Sequence, residues 1–176
     1  MPANEGPEGV LITGLFGVGK SSVTAEIADL LEADHERYAA IDLDWLTWAD
    51  TGTGQEGAEH RMLLTNLASV VGNYLEAGIR RFVMARSLRD PSELESLRAA
   101  ISVPVRVVRL TVTMDEIERR LRSDVTAGRE DDLREAREWV AAGLGEGFED
   151  LTVANDRPIR EVASEIVGWL GWARSV

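Results

Sequence analysis

Short apolar runs alternate with longer segments of helical periodicity along the 176-residue chain. Five of the runs have the length of parallel strands, and the first of them, Gly9-Val10-Leu11-Ile12-Thr13, is rich in β-branched residues. Between them, apolar residues recur at spacings of three and four, as on the buried face of a helix. This order predicts an α/β fold in one domain, with a five-stranded parallel sheet and helices on both faces. The predicted strands cover residues 9–13, 38–42, 81–85, 105–111 and 151–154.

Several predicted helices carry recognisable capping residues. Asp90-Pro91-Ser92-Glu93 places a cap residue, a proline and an acid in the first turn of a helix. Thr113-Met114-Asp115-Glu116 has the spacing of a capping box, and Gly78 follows a helical segment as its C-terminal cap. Residues 43–58 are polar and rich in Gly and Thr, which predicts a loop or a broken helix.

The most specific motif follows the first predicted strand. Gly14-Leu15-Phe16-Gly17-Val18-Gly19-Lys20-Ser21 matches G-x-x-x-x-G-K-[ST], and Lys20 is the only lysine among 19 basic residues. Glycines let the backbone approach a phosphate, while successive N–H groups and a helix N-terminus bind it. The motif predicts a nucleoside triphosphate site; the alternative is a glycine turn with a surface lysine. The predicted nucleotide-binding residues of this loop are Gly14, Gly17, Val18, Gly19, Lys20, Ser21 and Ser22.

Within this loop two side chains have predicted chemical roles. Lys20 is expected to reach the β- and γ-phosphates, and the Ser21 hydroxyl is expected to be a Mg²⁺ ligand. A chain that otherwise uses arginine has a compact, flexible point charge at the one position where it must reach between phosphates.

A second informative motif, Asp42-Leu43-Asp44, ends the second predicted strand. Ligands of open parallel sheets bind beyond the carboxyl ends of strands, and we expect this strand to neighbour the P-loop side of the sheet. Phosphoryl transfer needs a cation against the phosphate charge and a group near the acceptor hydroxyl. One carboxylate is predicted to hold Mg²⁺ through water, and the other to orient the hydroxyl or accept its proton. The alternative is a solvated acidic turn.

Composition and charge disfavour several classes of function. The chain has no cysteine, so disulfides and thiolate metal sites are excluded, and its two histidines are too few for a histidine cluster. The net charge of −12 argues against nucleic-acid binding. No apolar stretch approaches the ~20 residues of a membrane span. Residues 1–8 lack the features of a signal peptide, so we expect a flexible tail there and a cytoplasmic protein.

The P-loop followed by Asp42-Leu43-Asp44 resembles the small-molecule kinases of the P-loop superfamily, such as shikimate, gluconate and adenylylsulfate kinases and chloramphenicol phosphotransferase. The resemblance implies a three-layer P-loop NTPase fold with a short lid, here residues 123–132, that closes over ATP. It also implies that Asp42 assists Mg²⁺ and that Asp44 holds or deprotonates the acceptor hydroxyl.

Lid arginines in such kinases touch the phosphates and stabilise charge as the γ-phosphoryl group moves. The resemblance makes Arg120 and Arg129 the candidates here. The alternative is a solvated helix face paired with neighbouring glutamates. Asn155-Asp156-Arg157-Pro158 matches the segment that often contacts adenine in the superfamily, with Asn155 and Arg157 as candidates. Its alternative is a plain helix start with Asp156 as the cap.

The acceptor side has weaker candidates. Arg86 and Arg89 follow the third strand and are expected to point toward the same edge of the sheet. Trp45 and Trp48 follow the acidic motif and either line an acceptor pocket or cover the core. The other tryptophans, Trp139, Trp169 and Trp172, are expected to pack on helix faces.

Together these patterns predict an ATP- and Mg²⁺-dependent kinase, monomeric or homodimeric, that phosphorylates a hydroxyl of a small molecule. The third strand ends in Met84-Ala85-Arg86 without a Walker B acid, which disfavours motor ATPases and switch GTPases. The acids that follow the second strand favour a neutral polyol or a cationic amino-sugar or antibiotic-like acceptor. Two alternatives stay open: a nucleoside or nucleotide kinase, and a nucleotide-binding regulatory module with little turnover.

Overall fold

The computed structural model describes residues 6–49, 57–123 and 129–173, with Arg129 described by its backbone alone. Over these ranges, the strands are β1 (Glu8–Thr13), β2 (Tyr38–Asp42), β3 (Arg81–Ala85), β4 (Val105–Thr111) and β5 (Leu151–Ala154). They form one parallel sheet in the order β2-β3-β1-β4-β5. The predicted sheet is therefore confirmed, and only β1 differs in its bounds because it begins one residue earlier, at Glu8.

Helices cover both faces of this sheet. Val10 and Ile12 of β1 point to one face and contribute to a core with α1 and α6, while Leu11 points to the other face and packs with α2 and α3. Successive side chains of a strand alternate between faces, so a central strand packs apolar side chains against helices on both sides. In the described ranges the helices are α1 (Lys20–Ala33), α2 (Ala58–Glu76), α3 (Pro91–Ala100), α4 (Met114–Ser123), α5 (Arg129–Ala142) and α6 (Ile159–Leu170).

The expected position of β2 needs a correction. β3 lies between β1 and β2 and pairs with both, so the acidic strand is one strand away from the P-loop strand. The cause is burial: all five residues of β3 are buried, whereas β2 has the exposed Ala40 and the partly exposed Tyr38. The fully buried strand takes the inner position, and the partly exposed strand takes the edge.

The predicted caps at Asp90, Thr113 and Gly78 are confirmed, whereas the cap position of α6 is Pro158 without a side-chain hydrogen bond, so the alternative of Asp156 as its cap is wrong. The Asp90 carboxylate accepts from the Ser92 and Glu93 N–H groups, and the Thr113 hydroxyl accepts from the Glu116 N–H. Gly78 follows the end of α2 with a φ of +82°. The predicted broken helix after β2 is a 3₁₀ turn (Leu43–Thr47), and residues 50–56 of that segment lie outside the described ranges.

At the amino end, the predicted tail extends one residue too far. Glu8 belongs to β1 and is buried, and its carboxylate accepts hydrogen bonds from the Arg106 guanidinium at 2.8 Å and the Trp172 indole at 3.2 Å.

Trp139 and Trp172 are buried as predicted, whereas Trp169 is partly exposed beside the Arg106 guanidinium. None of the helices in the described ranges has both the length and the apolar character that a bilayer span demands. Of the predicted lid, residues 124–128 lie outside those ranges.

Candidate functional site

The loop between β1 and α1 has a left-handed backbone at three glycines, and at two of them there is also no room for a side chain. Gly14, Gly17 and Gly19 have φ values of +135°, +79° and +96°. A Cβ atom at Gly14 would lie 2.6 Å from the Leu110 carbonyl oxygen, and one at Gly19 would lie 2.6 Å from Asn155 Nδ2. The loop can therefore bring bare backbone to a ligand.

Helix α1 begins directly after this loop without a side-chain cap. The N–H groups of its first turn have no partner within the helix, so they are available to an anion, which the helix dipole also favours. Ser21 and Ser22 stand exposed in this turn. A nest of glycines in front of an uncapped helix fits the phosphate chain of a nucleotide.

Lys20 lies folded over the loop. Its Nζ donates to the Gly14 carbonyl at 3.1 Å and to the Leu15 carbonyl at 3.0 Å, and lies 5.3 Å from the centre of the Phe16 ring. Burial lowers the pKa of Lys20 from 10.5 to about 8, although the Asp44 and Asp42 carboxylates act in the opposite direction. The ammonium group is thus still mostly charged at neutral pH.

Ser21 and Asp42 meet across the width of β3. The Ser21 hydroxyl donates to Asp42 Oδ2 at 2.9 Å, and Asp42 Oδ1 accepts the Asp44 N–H at 3.1 Å as the cap of the 3₁₀ turn. A hydroxyl and a carboxylate are the oxygen ligands that Mg²⁺ accepts alongside phosphate and water. The residues present therefore fit the predicted metal.

Asp44 faces the same groove and pairs with an arginine. Arg86 Nη1 donates to Asp44 Oδ1 at 2.8 Å, while 60% of the Asp44 side chain stays exposed. Partial desolvation, with the Asp42 charge, raises the pKa of Asp44, and the Arg86 charge opposes this rise. The groove has a volume of about 420 Å³ and is lined by Phe16, Gly19, Lys20, Ser21, Asp44 and Arg120, among others.

Arg120 is engaged by protein acceptors on all sides. Its Nε donates to Glu116 Oε1 at 2.6 Å, Nη1 to the Val18 carbonyl at 3.1 Å and Nη2 to the Asn155 carbonyl at 2.8 Å. Arg120 thus joins α4, the P-loop and the segment after β5. Its contact with phosphate stays a prediction. The neighbouring Arg119 pairs with Glu116 on an exposed face of α4. This arrangement agrees with the alternative interpretation, a solvated helix face paired with glutamates.

Other predicted residues lie elsewhere. Arg157 is exposed and pairs with Glu165, and the guanidinium of Arg89 lies 5.8 Å from the centre of the Trp139 ring. Trp45 and Trp48 are 67% and 76% exposed, with ring centres 4.6 Å apart, so the interpretation that they cover the core is wrong. They project outward because Leu43 fills the core position of the 3₁₀ turn. The Arg129 side chain lies outside the described residues.

Sequence reasoning missed two residues that build the site. The Ser87 hydroxyl donates to the Gly14 carbonyl at 2.9 Å, and Asn66 Nδ2 donates to the Leu46 carbonyl at 2.7 Å, which ties the 3₁₀ turn to α2. Nothing in the sequence marks Ser87, because its partner is 73 residues away. Glu116, the partner of Arg120, is separated from it by one helical turn and is recognisable by that spacing.

Comparison with known proteins identifies the fold. No protein-family model matches the chain, and no curated protein matches it by sequence. A sugar kinase from a Janibacter species has a TM-score of 0.69 at 16% identity, with 94% of this chain and 95% of that chain covered.

Two further structures are similar over nearly their whole length. The tunicamycin resistance protein of Deinococcus radiodurans has a TM-score of 0.64 at 20% identity, with 94% of this chain and 96% of that chain covered. The Mycobacterium tuberculosis APS kinase CysC, in complex with AMPPNP and APS, has a TM-score of 0.62 at 22% identity, with 94% and 98% covered. The TM-scores show a common fold, and at identities this low they show the fold alone. The predicted fold of P-loop small-molecule kinases is thereby confirmed.

Proposed function

We propose that the protein is an ATP- and Mg²⁺-dependent phosphotransferase that moves the γ-phosphoryl group to a hydroxyl of a small molecule. The observation that carries the proposal is that Lys20, Ser21 and Asp44 line one groove, in which Ser21 is hydrogen-bonded to Asp42 and Asp44 is paired with Arg86. Nucleotide binding needs only the first two residues, whereas the Asp44 carboxylate beside them suits a second substrate, the acceptor of the phosphoryl group. The kinases among the similar folds support the same reaction class.

The loop between β1 and α1 and the first turn of α1 form the part of the site that binds the polyphosphate. Their N–H groups bind the polyphosphate, and Lys20 exchanges the Gly14 and Leu15 carbonyls for phosphate oxygens. Ser21 and Asp42 are the residues that would hold Mg²⁺, which offsets phosphate charge when bound.

Asp44 is the residue that acts on the acceptor hydroxyl. The acceptor oxygen forms a new bond to the γ-phosphorus, the bond from that phosphorus to the β–γ bridging oxygen breaks, and ADP leaves. The hydroxyl proton passes to the Asp44 carboxylate. Its raised pKa makes it a better proton acceptor than an ordinary aspartate, and Arg86 fixes its orientation.

Trp45 and Trp48 indicate the kind of acceptor. Trp45 directly follows Asp44 in the 3₁₀ turn, Trp48 is the residue at the end of that turn, and their exposed indole rings are tilted against each other. Such a surface suits a molecule with a ring whose apolar face packs on indole while a hydroxyl reaches the carboxylate. We therefore propose a polyol, sugar or antibiotic-like acceptor.

The test is an ADP-release assay across a library of such compounds with the wild-type chain, followed by Asp44→Asn on each positive compound. We expect Asp44→Asn to reduce kcat by about 10²-fold or more, since it removes the proton acceptor, and to leave the Kd of ATP nearly unchanged. Asp29→Asn, an exposed aspartate on α1, is the matched control. A chain that binds ATP but transfers phosphate to no compound would contradict the proposal and favour a regulatory module.

A further inference from the structure

The Val18 carbonyl oxygen accepts two hydrogen bonds from outside the P-loop. Asn155 Nδ2 donates to it at 2.7 Å and Arg120 Nη1 at 3.1 Å. These donors lie 137 and 102 residues further along the chain. Asn155 is only 5% exposed, so its bond to the loop is shielded from water, where a hydrogen bond is stronger.

Holding this oxygen also orients the next N–H. The Val18 C=O and the Gly19 N–H belong to one planar trans peptide, in which the two groups point in opposite directions. Gly19 lines the groove, and among the hydrogen bonds of the described residues none has its N–H as the donor. A backbone N–H without a protein acceptor is suited to bind a ligand oxygen.

The donors are themselves held in place. Glu116 accepts from Arg120 Nε at 2.6 Å, and the Asn155 carbonyl accepts from Arg120 Nη2 at 2.8 Å. The Asn155 N–H donates to the Thr111 carbonyl at 2.9 Å, which attaches the residue to the end of β4. The absence of a Cβ at Gly19 lets the Asn155 amide approach the loop this closely.

We infer that Asn155 is a positioning residue of the nucleotide site: together with Arg120 it clamps the Val18 carbonyl and so aims the Gly19 N–H at the polyphosphate. The inference rests on the proposed function in one respect, the presence of a polyphosphate in the groove. It gives Asn155 a different role from the adenine contact that the family resemblance implies, because its side-chain amide is used by the loop.

Two ligands separate these roles. Isothermal titration calorimetry measures Kd for MgADP and for magnesium tripolyphosphate, which has no base, on the wild type, Asn155→Ala and Asn155→Asp. Loss of one hydrogen bond that orients the loop should weaken both ligands by the same factor, about fivefold to tenfold. Asn155→Asp keeps the shape of the side chain but removes the donor, so it should weaken both ligands at least as much. Asn73→Ala, an exposed asparagine on α2, should change neither Kd.

The other outcomes overturn the inference in distinguishable ways. Weaker MgADP binding with unchanged tripolyphosphate binding would assign Asn155 to the base. Unchanged Kd values for both ligands would eliminate the clamp while leaving the proposed function intact. A wild-type chain that binds neither ligand would refute the nucleotide site and therefore the proposed function. Near-ultraviolet circular dichroism of each variant shows whether it has folded, and Asn155→Asp serves if Asn155→Ala has not.

Discussion

The buried charge of Lys20 is expected to lower the free energy of unfolding of the wild type relative to that of the variant Lys20→Met. The pKa of Lys20 falls from 10.5 in an ordinary environment to about 8 in the fold, because burial disfavours the charged form. This difference corresponds to an upper limit of about 3 kcal/mol against folding at neutral pH. Lys20→Met removes that cost but also removes two hydrogen bonds to carbonyls, each worth about 1 kcal/mol. We therefore expect Lys20→Met to be about 1 kcal/mol more stable than the wild type at pH 7.

The pH dependence of this difference tests its cause. Below pH 8 both the folded and the unfolded wild type have a protonated Lys20, so the difference from Lys20→Met is constant. Between about pH 8 and pH 10.5 the unfolded chain binds the proton more strongly than the folded chain does. The free energy of unfolding of the wild type should therefore rise relative to Lys20→Met across this interval, by up to about 3 kcal/mol.

Urea unfolding followed by tryptophan fluorescence gives the free energies at pH 7, 8, 9 and 10.5. Other titrating groups cancel in the difference between the two chains. Arg134→Met, which replaces an exposed basic residue of α5 with the same uncharged side chain, should parallel the wild type at every pH. A difference between the wild type and Lys20→Met that does not change from pH 8 to pH 10.5 would refute the reasoning. So would a loss of more than about 2 kcal/mol in Lys20→Met at pH 7, since the hydrogen bonds would then outweigh the burial of charge.

Three other predictions concern the Ser21–Asp42 pair, the exposed tryptophans and the core. Ser21→Ala and Asp42→Asn should each raise the Mg²⁺ concentration for half-maximal turnover, and the double variant should cost less than the sum of the two because they share one hydrogen bond; additive effects would separate the residues. Trp45→Ala should raise the acceptor KM without changing the Kd of ATP, whereas Trp169→Ala, on α6, should change neither; an equal loss for both ligands would contradict the acceptor role. Leu67→Ala should lower the free energy of unfolding by about 2–5 kcal/mol in chemical denaturation, because Leu67 is fully buried between α2 and the sheet; a loss below about 1 kcal/mol would contradict that packing.

The strands and the P-loop could be predicted because each depends on neighbouring residues. Each strand is a short contiguous run of mostly apolar residues bounded by polar or turn-forming segments, so four of the five strands match their predicted bounds and β1 differs by one residue. The P-loop is contiguous, so the left-handed backbone at Gly14, Gly17 and Gly19 could be predicted from its pattern, while the roles of Lys20 and Ser21 stay predictions. The caps at Asp90 and Thr113 were likewise predictable from three or four adjacent residues.

Only the tertiary structure decided which distant groups meet. The strand order, with β3 between β1 and β2, follows from the burial of whole strands against helices and not from the sequence near any one strand. The contacts of Arg86 with Asp44 and of Ser87 with Gly14 follow from that order, and so does the use of Asn155 as a donor to Val18, 137 residues away. Local patterns report the conformation that a segment prefers, whereas the partners of a side chain depend on how all segments pack together.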